Sequence, residues 1–478
     1  MRPFVAIAWK TIQSAIRSRV VHVLLFFLLL SALLPLTIAY DGTAQGLVQV
    51  TLTYSLSLAM ILLSLSTVWL GCTVIADDVE AYTAHMVLTK PVSRITYWFG
   101  RWAGLVVMHG VLLAVAAGLA LLLMDRRLEH ANFSELELQE LHETTLVGRQ
   151  VYPGVMIENT ADGTIAEIDV EAAIRAEYQR RLSMGLELTP GMTEDMVLDT
   201  LRRELKGKLQ GILPGHSRMW EFRDLPILDD EEVMFFRYRV FVDTAKNRDQ
   251  RATQGIWTFE VAGEEGGVSM PMEQRGGVFY NEVINPHVTA EGTDTEYHLI
   301  DDDGTMRISY TNYDMMRESV VFQPADGPMI LITRTGFAMN YARAIFLLFL
   351  ELVFLATLSC LAGALMSTPV AIFLSYTYVV MGAVVQAMEP ATPEDAIAPN
   401  GGLDTILWGI RQIIGLVAVS VNEFNRVTSL AKGELIMFNQ VFAGDFLLSL
   451  LRLILLLAIA AICLWSFKRR ELGLVVRK

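Results

Sequence analysis

Apolar residues run almost unbroken through six stretches of the chain: Val20–Ala39, Leu47–Ile75, Leu105–Met124, Ala344–Leu365, Val370–Met388 and Phe446–Phe467. Each is near or above the ~20 residues that a helix needs to cross the hydrocarbon of a bilayer. The pattern therefore predicts six transmembrane helices. Residues 1–19 set Phe4, Val5, Ala8, Trp9, Ile12, Ala15 and Ile16 at helical spacing among Arg2, Lys10, Arg17 and Arg19, with no acid. A basic amphipathic helix of this kind suits the cytoplasmic lipid interface. Asp41, Gly42 and Gly46 mark a tight turn between the first two spans.

Between the third and fourth spans the pattern changes twice. Residues 125–215 read as helical: Leu198, Leu201, Leu205, Leu209 and Ile212 form one stripe behind Thr193 as N-cap, and Val170, Ile174, Tyr178 and Leu182 outline a shorter helix. Residues 216–338 alternate with period two. Met234, Phe236, Tyr238, Val240 and Val242 share one face, Trp257, Phe259 and Val261 another, and Met306, Ile308 and Tyr310 a third. Short strands separated by Gly, Asp and Pro turns predict an antiparallel β-sandwich of about seven or eight strands. The expected fold is thus an α-helical membrane protein with an inserted α+β domain, 125–338. Residues 1–124 hold spans one to three, and residues 339–478 hold spans four to six. Within the latter, segment 390–445 contains Ile406–Val421, which at 16 residues is short for a crossing and reads as re-entrant or interfacial.

Charge fixes the orientation. The chain carries a formal charge of −14, but residues 125–338 alone hold 39 acids and 21 bases, or −18, leaving +4 elsewhere. Basic residues flank the N-terminus, the loop 76–104 (Lys90, Arg94, Arg101) and the tail (Lys468, Arg469, Arg470, Arg477, Lys478). Six spans put these three segments on one side, and the positive-inside rule makes it the cytoplasm. Residues 125–338 then lie outside the cytoplasmic membrane. The three cysteines, Cys72, Cys360 and Cys463, all fall in or at the ends of apolar runs, so no disulfide framework staples the insert.

No phosphate loop, HExxH or GxSxG motif occurs. An active transporter built on this chain would need its ATPase on another polypeptide. Asp301-Asp302-Asp303-Gly304 lacks spaced calcium ligands and reads as a turn. Trp220 and Trp257 suit core packing better than a sugar platform. Within the spans, Glu351 and Arg452 each lie about 10 Å from the outer end at ~1.5 Å per residue; they could pair or line a polar path. His109 counts to a different depth, nearer the inner end.

The loop 76–104 carries a resemblance. Asp77, Asp78 and Glu80 close the second run, then come Thr83, Lys90-Pro91-Val92-Ser93-Arg94, the aromatic Tyr97 and Trp98, and Gly100-Arg101. This order resembles the signature of ABC-2 type transporter permeases, an acid followed by Thr, a P-[VI]-S-R segment and a G-[KR] pair, with Glu80 and Thr83 slightly differently spaced. Phe337–Arg343, Ser367–Ala371 and Phe467–Gly473 resemble further segments of that family, and the large insert departs from it. The resemblance implies that the loop forms a coupling helix docking on an ATP-binding subunit through Asp77, Asp78, Glu80, Thr83, Lys90, Pro91, Ser93, Arg94 and Arg101. It implies ATP and magnesium on that partner, no cofactor on this chain, and a second permease subunit, identical or not. Lipid surrounds the spans, an extracytoplasmic protein is a further candidate partner, and nucleic acid is not expected. Pro91 would separate two short helices at a fixed angle. The competing class is a membrane-anchored receptor or scaffold, which would bind no ATPase.

Overall fold

A computed structural model describes residues 2–17, 19–80, 92–159, 165–168, 170–184, 197–198, 200–202, 204, 211–228, 232–242, 252–261, 267–277, 279–289, 296–313, 319–323, 326–387 and 424–437. The chain divides into two compact units, Met1–Gly148 with Thr335–Lys478, and Arg149–Arg334.

The first unit is helical. Helix α1 (Arg2–Arg17) leads into α2 (Arg19–Leu33) and a 3-10 turn, Leu34–Thr37, with a bend of 69° between the two helices. On α1, Val5, Trp9 and Ile16 are exposed large apolar residues beside Arg2, Lys10 and Arg17, the composition of a helix lying at a lipid interface. A cap opens α3 (Ala44–Glu80): Asp41 Oδ1 accepts from the Thr43 amide and hydroxyl at 3.0 and 2.7 Å, and Thr43 Oγ1 accepts from the Gly46 amide at 3.0 Å. Helix α4 (Arg94–His130) starts at Ser93, whose hydroxyl accepts from the Thr96 amide at 3.0 Å. A short α5 (Glu135–Thr144) is held by a capping box between Ser134 and Glu137. After the second unit come α7 (Phe337–Leu365), α8 (Thr368–Ala387) and a single turn, α9 (Val427–Ala431).

Helices α3, α4 and α7 are each long and apolar enough to cross a membrane, and α1 with α2 makes a fourth candidate if the bent pair is one span. These helices make the chain a multi-pass membrane protein. Helix α8 is shorter, and the sixth expected span and Ile406–Val421 lie outside the described residues. The helices overrun the apolar runs that predict them. Asp77, Asp78 and Glu80 form the last turn of α3, and α4 begins at Arg94 and continues through Asp125 to His130. Charged residues at a span's end keep their helical bonds where their heads reach water or, as Asp78 and Arg101 do, pair with each other, so hydropathy marks the apolar part and not the helix. Residues 76–80 and 94–104 of the expected loop thus belong to α3 and α4.

Leu52, Leu56 and Leu63 of α3, Leu113, Ala117 and Ala120 of α4, and Leu347, Leu348 and Leu352 of α7 form the core of this unit. The expected insert boundary at 125 moves to 149. Leu141 of α5 is buried in the same core, and Gln45 Nε2 donates to Thr144 Oγ1 at 2.7 Å, so α5 belongs to the helical unit. Two crossed bonds fix the turn around α9 to α7: Asn340 Nδ2 donates to the Glu434 carbonyl and Asn340 Oδ1 accepts from the Ile436 amide, both at 2.8 Å.

The second unit is mainly β. Its strands are β1 (Val147–Pro153), β2 (Val155–Asn159), β3 (Ile165–Glu167), β4 (Gly211–Ile212), β5 (Ser217–Phe222), β6 (Met234–Arg239), β7 (Phe241–Val242) and β8 (Ala252–Glu260). They continue as β9 (Gly267–Arg275), β10 (Phe279–Ile284), β11 (His287–Thr289), β12 (Glu296–His298), β13 (Met306–Asn312), β14 (Val320–Val321) and β15 (Met329–Gly336). Helix α6 (Val170–Ser183) lies between β3 and β4, with Ile174 and Tyr178 packed against Leu201. A four-stranded sheet, β1-β15-β6-β10, and a six-stranded sheet, β3-β2-β5-β13-β8-β9, share one core, with a three-stranded piece β4-β14-β7 and a ribbon β11-β12.

Alternation sets the register of this core. Ile308 pairs with Trp220 on one side and Phe259 on the other, and Tyr310 pairs with Trp257. Phe236 and Tyr238 of the four-stranded sheet meet Trp257 of the six-stranded sheet, each with ring centroids 4.8 Å apart. Trp220 and Trp257 are both buried, so they are core residues and not a platform. Buried Gln274 donates to the Tyr238 hydroxyl at 3.0 Å and accepts from Tyr310 at 3.2 Å, which satisfies the two tyrosine hydroxyls of the aromatic cluster.

Two expectations change here. The expected helical stretch 125–215 contains β1, β2, β3 and β4, and Ile212 lies in β4 rather than on the helix stripe with Leu201. These short strands exist because distant partners pair with them, β1 with β15, β2 with β5 and β4 with β14, so no local periodicity announces them. Asp301 to Gly304 forms a turn closed by bonds from the Asp301 amide to the Thr305 carbonyl and from the Gly304 amide to the Asp301 carbonyl, both 2.8 Å. Among the described residues no three His, Cys, Asp or Glu side chains gather as a metal site.

Candidate functional site

At the foot of the 81–93 segment, three helices are joined by one polar cluster. Arg101 of α4 is buried and forms an ion pair with Asp78 in the last turn of α3. Tyr97, one turn before Arg101 on the same face of α4, donates its hydroxyl to the same Asp78 carboxylate. Arg101 also donates to Thr11 Oγ1 of α1 at 3.2 Å, and its guanidinium lies 5.6 Å from the Tyr97 ring centroid. A carboxylate removed from water is held only if it is paired and hydrogen-bonded, and Asp78 receives both from α4.

Glycines allow α1 to come close enough. A Cβ on Gly100 would lie 2.8 Å from Ile7 Cγ2, and one on Gly104 would lie 2.7 Å from the Ala8 carbonyl oxygen and from Thr11 Cβ. Two small residues four apart let helix backbones approach, the usual means of association in lipid. On its other faces α4 is anchored to α7: Trp98 Nε1 donates to the Cys360 carbonyl at 3.3 Å and Trp102 Nε1 to Thr357 Oγ1 at 3.0 Å.

Of the residues expected at the coupling segment, the structure brings Asp78 and Arg101 into direct contact and gives Ser93 the N-cap of α4. Asp77 is exposed beside Asp78, Glu80 ends α3, and Arg94 opens α4, partly buried. Thr83, Lys90 and Pro91 lie outside the described residues. Tyr97 and Thr11 complete the cluster although sequence reading passes over them as contacts. The spacing of Tyr97 four residues before Arg101 was the available signal for the first, and only tertiary packing brings Thr11 in.

A second polar feature lies in the middle of the bundle. Glu351 of α7 is buried and accepts from Ser64 Oγ of α3 at 2.8 Å. His109 of α4 is also buried; its Nε2 lies 3.0 Å from Ser66 Oγ and its Nδ1 3.1 Å from the Leu105 carbonyl. Ser64 and Ser66 differ by about 3 Å of rise along α3. His109 and Glu351 therefore meet α3 at nearly one level, which corrects their expected separation in depth. His109 is only five residues into its apolar run, but α4 begins eleven residues before that run. Arg452 lies outside the described residues, and with it the expected pair with Glu351.

The comparison with known families rests on this helical part. Residues 5–136, from α1 through the start of α5, match the family model described as ABC-2 family transporter protein. This stretch is similar to the ABC-2 transporter family. The match supports a permease component in the general sense, and the polar cluster of Asp78, Tyr97, Arg101 and Thr11 lies inside the matched range. No curated protein and no solved structure matches the chain.

Proposed function

We propose that this chain is the transmembrane subunit of an ATP-binding cassette transporter whose ATP is hydrolysed by a separate subunit docked on segment 76–104. Two permease subunits would pair with two ATPases, which would hold ATP and magnesium. The observation that carries the reading is the Asp78–Arg101–Tyr97–Thr11 cluster, inside the ABC-2 match. A push on the segment meets a foot tied to α1, α3 and α4 together, so its displacement moves three helices as one piece. A loop hinged freely on its helices would lose that motion in bending.

Glu351, with Ser64, supplies a polar position in the bundle interior where cargo or Arg452 would bind. Residues 149–334 would stand outside the cytoplasmic membrane, where they select or hand on cargo. Purification of the tagged chain in mild detergent tests the reading. The expected result is a co-purifying ATP-binding subunit that is lost when Lys90, Pro91 and Arg94 are replaced together by alanine. A complex that survives those changes would overturn the docking assignment. A charge-swapped Glu351/Arg452 pair no better than either single change would remove the pairing.

A further inference from the structure

The ribbon β11-β12 holds two histidines face to face. His287 and His298 are direct cross-strand partners in its antiparallel register, and their Nδ1 atoms are 2.8 Å apart. The rings meet edge to face with centroids 4.8 Å apart. The base of the ribbon is pinned by the Leu299 amide donating to the Pro286 carbonyl at 3.0 Å and by the His287 amide donating to Asn285 Oδ1 at 3.0 Å. The pair is thus presented by a braced β-ribbon rather than by two mobile side chains.

The other nitrogen of His287 has its own partner. Nε2 lies 3.4 Å from the Leu228 carbonyl oxygen, an atom that can only accept, so the proton of His287 belongs on Nε2. Its Nδ1 then carries a lone pair aimed at His298, which fills the gap with an N–H. A backbone carbonyl on the far nitrogen is the usual orienting partner of a metal-binding imidazole. His298 is exposed and His287 half-buried, so the space between them opens to solvent.

We propose that His287 and His298 form a two-nitrogen binding site for a late first-row transition-metal dication such as Cu2+ or Zn2+. Imidazole nitrogen is the donor these ions prefer. With metal–nitrogen bonds of about 2.0–2.1 Å, the two Nδ1 atoms need only separate by a few tenths of an ångström to grip one ion. Neutral His298 changes tautomer as the metal binds: Nδ1 gives its proton to water, Nε2 takes one up, and the Nδ1 lone pair goes to the metal. Among the described residues no third His, Cys, Asp or Glu gathers with the pair, so the two imidazole nitrogens define the site.

The test uses the full-length chain in detergent, without a polyhistidine tag. It is titrated with Cu2+ directly and with Zn2+ against a chromophoric chelator. His287→Gln and His298→Gln are each expected to bind one equivalent less of either ion than the parent, and the double variant no less than the singles. Equal stoichiometry and affinity in all four proteins would overturn the proposal and leave the pair as a hydrogen-bonded clasp. His298→Cys is the second arm. It keeps a donor at the site and should give a thiolate-to-metal charge-transfer band with Co2+ that His287→Gln abolishes. A band absent from His298→Cys, or one indifferent to His287, would equally overturn the site.

Discussion

The two units of this chain are held together by opposite means. In the helical unit the closest contacts are made by the smallest residues: a Cβ on Gly363 would lie 2.3 Å from the Cys72 carbonyl oxygen, and one on Gly71 would lie 1.9 Å from Ser359 Oγ. In the β unit the centre is filled by the largest, with Trp257 in ring contact with Phe236, Tyr238, Tyr310 and Phe322 at 4.7–5.5 Å. Lipid is as apolar as leucine, so helices in it gain little by burying large side chains and associate through close backbone approach and a few polar bonds. A domain in water gains from every apolar group it removes from solvent, and aromatic rings remove the most.

The largest effect that would break this contrast is expected at Trp257. Trp257→Ala should destabilise the β unit by about 3–5 kcal/mol, read as loss of its near-ultraviolet circular dichroism and of protease resistance at a lower temperature. The helical unit should keep its far-ultraviolet signal through the same range. If both units melted together, the division at 149 and 334 would not describe two independently packed cores.

Next comes the cluster at the foot of segment 81–93. Asp78→Ala leaves Arg101 and Tyr97 without their shared carboxylate, at a cost of roughly 1.5–3 kcal/mol for hydrogen bonds to a charged group. Thermal stability of the detergent-solubilised chain should fall, and the exchange of charges in Asp78→Arg with Arg101→Asp should recover part of it. If the swap is no better than either single change, the two residues act separately.

Small residues in the bundle give a third test. Gly363→Leu forces a side chain into the α3 backbone at Cys72, and overpacking of this kind costs about 1–3 kcal/mol. Gly118→Leu on α4, with nothing within 4 Å of its would-be Cβ, should cost nothing, since leucine is the better helix former. A loss at Gly118 equal to that at Gly363 would mean that close approach does not decide.

The smallest effect is a pH dependence confined to the β unit. Burial pushes the Glu221 carboxyl up, but hydrogen bonds from Arg223 and Arg307 outweigh it and hold the group below the ordinary carboxylate range. A depressed folded value means that the stabilisation is present above the unfolded pKa, about 4.3, and is lost as pH falls through the folded one. Glu221→Gln should flatten the acid limb of the β unit's stability curve and leave the helical unit's curve unchanged. An unaltered acid limb would show that these ion pairs are too solvated to matter.

What the sequence by itself determined is the part governed by local repetition. Twenty apolar residues in a row have one stable outcome in a bilayer, so the long helices α3, α4 and α7, the amphipathic α1 and the ABC-2 resemblance at Asp78 and Gly100-Arg101 were legible from hydropathy and motif order. The period-two faces through Met234–Val242 and Met306–Tyr310 announced strands for the same reason. Only the tertiary structure decided which residues meet. Thr11, 90 positions before Arg101, joins the Asp78–Arg101 pair because Gly100 and Gly104 admit α1. His109 and Glu351 reach one level because the helices extend beyond their apolar runs. Strands of two or three residues form only where a distant partner supplies their hydrogen bonds, as β14 does for β4 and as the ribbon does for His287 and His298. Such contacts depend on helix ends, close approach and long-range pairing, quantities that no window of neighbouring residues contains.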